Sequence, residues 1–131
     1  MRYLTEQEVI AINYLIIDRY SPKEPKGILS ASLLNSSVER PKQTVFGEDA
    51  YISVFEKGAA LFESIAKNHC FQNGNKRTAF VCLVQFLAYN GYRFVMDTKE
   101  AEDFVVDSVT HQYDFQSIVQ VIKEHSIKSD Y

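Results

Sequence analysis

At 131 residues the chain is long enough to bury a sizeable core and short for two, so one domain over 1–131 is expected. Hydrophobic residues make up 46% and charged residues 24%, the balance of a soluble globular protein, and a formal net charge of −3 leaves no basic excess to neutralise a nucleic-acid backbone. No apolar run approaches membrane-spanning length, and Met1-Arg2-Tyr3 followed by an acidic helix start is unlike a signal peptide; the expectations are no direct nucleic-acid partner, no membrane and a cytoplasmic location.

Thr5-Glu6-Gln7-Glu8 reads as a capping box, after which Val9, Ile12, Ile16, Ile17 and Tyr20 recur at helical spacing and predict a first amphipathic helix. Pro22 and Pro25 break that pattern and make 21–27 an irregular link. A short second helix is predicted over 28–38, with Leu29, Leu33 and Leu34 on one face. Pro41 and Gly47 interrupt 39–47, which must be a loop or an extended flap. Over 48–68 Tyr51, Val54, Phe55, Leu61, Phe62 and Ile65 form one apolar stripe, and Gly58 within it points to the close approach of another helix.

The next helix is predicted over 74–90. Between Ala79 and Tyr89 only Gln85 is polar, so this helix is expected to be central and buried on all sides, with Asn90-Gly91 as its stop. A brief extended piece over 92–95 precedes a helix opened by Asp97 and Glu100 and carrying Ala101, Phe104, Val105 and Val109. Asp114 caps a last helix whose Phe115, Ile118, Val119 and Ile122 share a face, and the polar tail to Tyr131 is expected to fray. The expected fold is all-α, a compact bundle of about six helices around the 74–90 helix. Cys70 and Cys82 have no metal-like spacing and are read as a spectator and a small buried hydrophobe; His111 and His125 are read as solvated.

The chemistry is concentrated in 68–80, Asn-His-Cys-Phe-Gln-Asn-Gly-Asn-Lys-Arg-Thr-Ala-Phe. Gly74 permits a tight turn that aims amide N–H groups into one concavity, and the helix that follows adds its own free N–H groups and positive dipole end. Lys76 and Arg77 stand in the first turn, where the dipole favours acids, and a bound phosphate would account for them. His69 precedes this cradle, where an imidazole can take the proton of an attacking hydroxyl. Asn73 and Asn75 offer short amides for a metal-bound phosphate or for the turn itself. Singly, each residue has an ordinary reading as cap, turn or solvated charge. Together and in this order they point to phosphoryl or nucleotidyl transfer, in which the protein supplies position and charge.

His69-x-Phe71-x-Asn73-Gly74-Asn75-Lys76-Arg77 resembles the Fic/Doc signature H-x-F-x-[DE]-G-N-[GK]-R, and Asn75 to Ala79 is similar to the Asn-Lys-Arg-Thr-Ala ending of the Doc branch, the death-on-curing toxins of bacterial toxin–antitoxin modules. The resemblance implies His69 as base, and Gly74, Asn75, Lys76 and Arg77 as phosphate binders. It also implies that Arg40, Pro41, Lys42, Gln43, Thr44, Val45 and Phe46 form a flap that docks the target beside the histidine. Fic enzymes that transfer AMP have glycine in place of Lys76 and a second arginine in place of Phe80. Both departures favour the Doc reaction, in which the terminal phosphate of ATP passes to a protein hydroxyl, with elongation factor Tu as the family's target and translation as the process stopped. Asn73 replaces the family's Mg²⁺-binding acid, and a neutral amide oxygen is a weaker ligand for that ion.

The alternatives are an AMP transferase and a non-catalytic helical interaction module. Thr44-x-x-x-Glu48 and Thr98-x-x-x-Glu102 match the spacing of the family's inhibitory motif, but an aspartate follows each glutamate. Inhibition by a separate antitoxin of the Phd type is therefore expected.

Overall fold

The helices start where the sequence supplies a side-chain acceptor. In the computed structural model, which describes residues 1–129, the order is α1 (Glu6–Tyr20), α2 (Ala31–Glu39), a 3-10 turn (Arg40–Lys42), β1 (Thr44–Val45), β2 (Glu48–Asp49), α3 (Val54–Asn68), α4 (Asn75–Tyr89), β3 (Tyr92–Phe94), α5 (Thr98–Val109), α6 (Phe115–Glu124) and β4 (Ser126–Lys128). Thr5, Ser30, Ser53, Asp97 and Asp114 each accept a first-turn N–H, and at Thr5 and Asp97 a glutamate three residues on closes the capping box. Helix α4 opens instead on Gly74 and has no side-chain cap.

Helices α3 and α4 form the central pair. Gly58 lets them approach: a Cβ there would lie 3.1 Å from Leu83 Cδ1 and 3.5 Å from the Phe86 ring. Phe62, Ile65, Cys82, Leu83, Phe86 and Leu87 are fully buried between them, with Ile118 and Ile122 of α6, and the Phe62 and Phe104 rings stack at 4.9 Å. The Cys82 thiol is pushed up by burial, as befits a small core hydrophobe. At its far end α4 is clamped to the chain's start. Tyr89 donates its hydroxyl to the Glu8 carboxylate, the Arg2 guanidinium lies 3.5 Å above the Tyr89 ring, and Asn90 Oδ1 accepts the Arg2 N–H at 2.8 Å.

The structure corrects several expectations. Helix α2 begins at Ala31 because Ser30 caps it; Leu29 and Leu33 face outward, and Leu34, Ser37 and Val38 face the core. Helix α3 begins at Val54, since 44–49 forms an antiparallel hairpin, Thr44↔Asp49 and Val45↔Glu48, around Phe46 and Gly47, both at positive φ. The tail does not fray at 126–128: β4 pairs with β3, Tyr92↔Lys128 to Phe94↔Ser126; residues 130 and 131 lie outside the described part. His125 is half-buried and tethered, with Nδ1 2.9 Å from the Val121 carbonyl and Nε2 3.2 Å from Glu100. Nor is α4 covered on all sides, because α1 and α5 stand apart enough to leave Val81 39% exposed.

The clamp makes stability pH-dependent. The hydrogen bond from Tyr89 holds the Glu8 carboxyl below its ordinary range. A depressed carboxylate contributes stability that is present above its unfolded-state pKa and lost as pH falls through the folded one. Tyr89→Phe should therefore lower Tm at pH 7 and flatten the acid limb of a Tm-against-pH curve below about pH 4.5.

Candidate anion site at the start of α4

Helix α3 ends at His69, which takes the left-handed conformation (φ 51°, ψ 51°) as its C-cap. The turn throws the imidazole out to solvent, and among the described residues nothing hydrogen-bonds or ion-pairs with it. Phe71 then drops into the core, 1% exposed, and fixes the depth of the loop. The Asn75 side chain closes that loop on itself: its Oδ1 accepts the Phe71 N–H at 3.0 Å and its Nδ2 donates to the Phe71 carbonyl at 2.9 Å.

Gly74 follows at φ +75°, a conformation that side chains resist, and sits directly on α1, where a Cβ would meet Asn13 Nδ2 at 3.3 Å and Ile17 at 3.4 Å. The first intrahelical bond of α4 is Thr78 N–H to the Gly74 carbonyl. The N–H groups of Gly74, Asn75, Lys76 and Arg77 find no acceptor among the described residues. Four contiguous free donors, at the positive end of a 15-residue helix, make an anion-binding terminus. Lys76 and Arg77 are exposed beside them and neither has a carboxylate partner among the described residues; Arg77 rests on the Tyr20 ring at 4.2 Å. A stacking contact of this kind is worth about 0.5–1 kcal/mol at an exposed site, too little to hold the guanidinium from a phosphate. A cleft of about 490 Å³ runs from these two cations between α1, α4 and α5, walled by Ile16, Tyr20, Phe80 and Val105. His69 stands outside it.

Residues 3–87 match the Fic/DOC family. The chain belongs to that family. It is similar to the toxin Doc of Mycolicibacterium smegmatis, 42% identical over 88 residues that cover 66% of this chain and 68% of that one, and to the protein kinase doc of Escherichia phage P1, 28% identical over 123 residues that cover 94% of each. These relatives place it on the Doc branch.

In this Fic/Doc chain the motif residues fall into two groups. His69, the backbone of Gly74, and Lys76 and Arg77 are turned outward and free. The Asn75 side chain is spent on the loop, so Asn75 can offer a phosphate only its N–H. Asn73 donates Nδ2 to the Pro25 carbonyl at 2.9 Å and has its amide oxygen to spare. One neutral oxygen is not a metal cage, and no group of three His, Cys, Asp or Glu among the described residues fits an ion. The chain by itself does not fit Mg²⁺; phosphate oxygens and water would have to supply the shell. Cys70 is buried, its thiol raised by burial, while its carbonyl accepts from Leu29 and Ser30; it has no nucleophilic part.

The 40–46 segment is anchored on α3. Pro41 is buried, and Arg40 is tied down by Tyr51 at 2.9 Å, Glu63 at 2.9 Å and Ser64 at 3.0 Å. The hairpin is pinned by Lys57, whose buried ammonium meets Asp49 at 3.2 Å. Lys57 lies 12 residues before His69, about 18 Å along α3. Gln43, Thr44, Val45 and Phe46 are exposed, with Lys42 paired to Glu39 at 3.4 Å and Phe46 wholly exposed at the tip. What borders the motif is the link after α1. Ile28 bridges Phe71, Gln72 N–H donates to the Gly27 carbonyl, and the Leu29 and Ser30 N–H groups donate to the Cys70 carbonyl. The sequence marks 21–27 only as irregular and counts 28–30 into the second helix; which side of the molecule this stretch visits depends on pairing partners some forty residues away. Of the two inhibitory-motif look-alikes, one lies in the hairpin, and the other starts α5 and puts Glu102 on the cleft wall.

Asn75→Ala removes both Phe71 hydrogen bonds. It should cost about 1–3 kcal/mol of stability in a denaturant titration and speed exchange of the Phe71 amide more than that of core α4 amides.

Proposed function

We propose that this Doc-branch protein transfers the terminal phosphate of ATP to a hydroxyl of a target protein. The observation that carries the reading is the uncapped start of α4, where four free N–H groups stand with Lys76 and Arg77, neither of them ion-paired among the described residues, one short loop after a His69 that has no hydrogen bond or ion pair there either. Such a site grips phosphate oxygens and stabilises the charge that spreads over them as the phosphoryl group moves. The incoming hydroxyl oxygen forms a bond to the γ-phosphorus as the bond from that phosphorus to the ADP oxygen breaks, and a His69 ring nitrogen takes the hydroxyl proton. Phe80 supports phosphate over AMP transfer: it packs on Phe94 at 5.9 Å and gives the cleft an apolar wall where an AMP-transferring site would carry an arginine. By family relation the target is elongation factor Tu, the result is arrested translation in the cytoplasm, and the restraining partner is an antitoxin of the Phd type. Among the described residues no helix is long and apolar enough to cross a membrane. The exposed 42–46 stretch, with Phe46 at its tip, is the flap that would dock the target.

The deciding experiment follows label from [γ-³²P]ATP and [α-³²P]ATP onto elongation factor Tu in the presence of Mg²⁺. γ-Label is expected on the target, and α-label there would overturn phosphate transfer in favour of AMP transfer. His69→Ala should cut the rate by about 10²–10⁴-fold with Tm and ATP affinity kept.

Asn73→Asp supplies the missing acid and should lower the Mg²⁺ concentration that gives half-maximal rate. An unchanged Mg²⁺ dependence would show that Asn73 has no place near the ion.

A further inference from the structure

Asn13 lies in the middle of α1, fully buried among apolar residues of that helix. Its Nδ2 donates to the Asn73 carbonyl at 2.9 Å and to Thr78 Oγ1 at 3.1 Å. The Asn73 carbonyl can only accept, which fixes the orientation of the amide, and Asn13 Oδ1 is left buried with no partner. A core residue that strands its own acceptor is not there for packing alone.

The bond has a directional consequence. The Asn73–Gly74 peptide is trans, so its C=O and N–H point in opposite directions across one plane. Drawing the Asn73 carbonyl inward to α1 turns the Gly74 N–H away from α1, and like those of Asn75, Lys76 and Arg77 it has no acceptor among the described residues. Gly74 adopts the left-handed conformation this needs, and having no side chain it can sit directly on Asn13 and Ile17. The second Asn13 bond, to Thr78, ties that peptide to the first turn of the helix it precedes.

We propose that Asn13 is a positioning residue for the phosphate cradle: it presets the Asn73–Gly74 peptide so that the Gly74 N–H is aimed at the bound anion before the anion arrives. The assignment rests on the phosphotransfer reading for its role in turnover, but the anion-binding half stands by itself. A donor already aimed needs no reorganisation during transfer, which is what makes such groups effective.

The test uses the full chain and two ligands, ATP and inorganic pyrophosphate, with ¹H–¹⁵N spectra reporting on the Gly74 amide. Asn13→Leu keeps the volume, and Asn13→Ala removes the same donor without new bulk, so at least one folded variant is available. Thr78→Val deletes only the Thr78 arm and serves as the control for lost stability. The expected result for the Asn13 variants is pyrophosphate affinity weakened at least about tenfold, the Gly74 shift on titration lost, and kcat falling by about 10²-fold. Thr78→Val should keep affinity within about twofold at a similar loss of Tm. Pyrophosphate bound by both Asn13 variants within about twofold of the wild type, with the Gly74 amide titrating normally, would overturn the assignment. So would a wild-type Gly74 amide that responds to neither ligand. A wild type that transfers no phosphate, yet shows the Asn13-dependent Gly74 response, would sink the phosphotransfer reading and leave the positioning role standing.

Discussion

The first turn of α4 has no cap, and the rest of the structure is arranged to tolerate that. A helix start ordinarily satisfies its N–H groups with a side chain, as the other five helices do here, and each such cap is worth about 1 kcal/mol. At Gly74 the cap is absent, two cations replace the acids that the dipole favours at about 0.3–1 kcal/mol each, and the preceding His69 holds a left-handed conformation of the kind that costs about 1–3 kcal/mol. Against a net stability of about 5–15 kcal/mol for a domain, these are considerable concessions in one loop.

They are affordable because α4 cannot shift. Gly58 draws it against α3, the Leu83 and Phe86 contacts fill that seam, and the two ends are held by different chemistry: Glu8, Arg2 and Asn90 around Tyr89 at one end, Asn13 at the other. Helix α1 is thus a splint along α4. The loop between α3 and α4 has its own lock in Asn75 and its own anchor in Phe71, so the free donors stay in place without a ligand.

Much of this was legible in the sequence because it is local. Capping boxes at Thr5 and Asp97 work over three residues, the apolar stripe of α3 over two turns, and Gly58 announces a close approach by lacking a side chain. The motif residues are contiguous, so their meeting needs no knowledge of topology. The misreadings are the non-local parts. The apolar spacing suggests a start of α3 at 48, six residues early, because Tyr51 continues the stripe, although the chain there is a non-helical link in which the Tyr51 ring packs on Phe115 and its hydroxyl accepts from Arg40. Strand β4 reads as a polar tail until its partner, more than thirty residues earlier, is known. The same holds for the segment beside the motif. Pro25 and Gly27 read only as helix breakers, and it is the bonds their carbonyls accept, from Asn73 Nδ2 and the Gln72 N–H, that reveal their place. Asn13 was invisible for a further reason: a single polar residue in an apolar helical stripe is as compatible with an exposed edge as with a buried contact.

Where the two kinds of residue meet, the structure separates support from chemistry more sharply than a motif can. Phe71, Asn75 and Thr78 stand inside the signature stretch, yet their polar groups or rings are consumed within the fold. His69, Lys76 and Arg77 stand in the same stretch with no hydrogen bond or ion pair among the described residues. A motif kept only as a folding element would need the first set and would gain by replacing the second, since an acid in the first turn or a glycine at the left-handed position is more stable. That both sets are present together, with the costly one solvent-facing and next in the chain to the inexpensive one, is the physical ground for the proposal that this loop binds an anion.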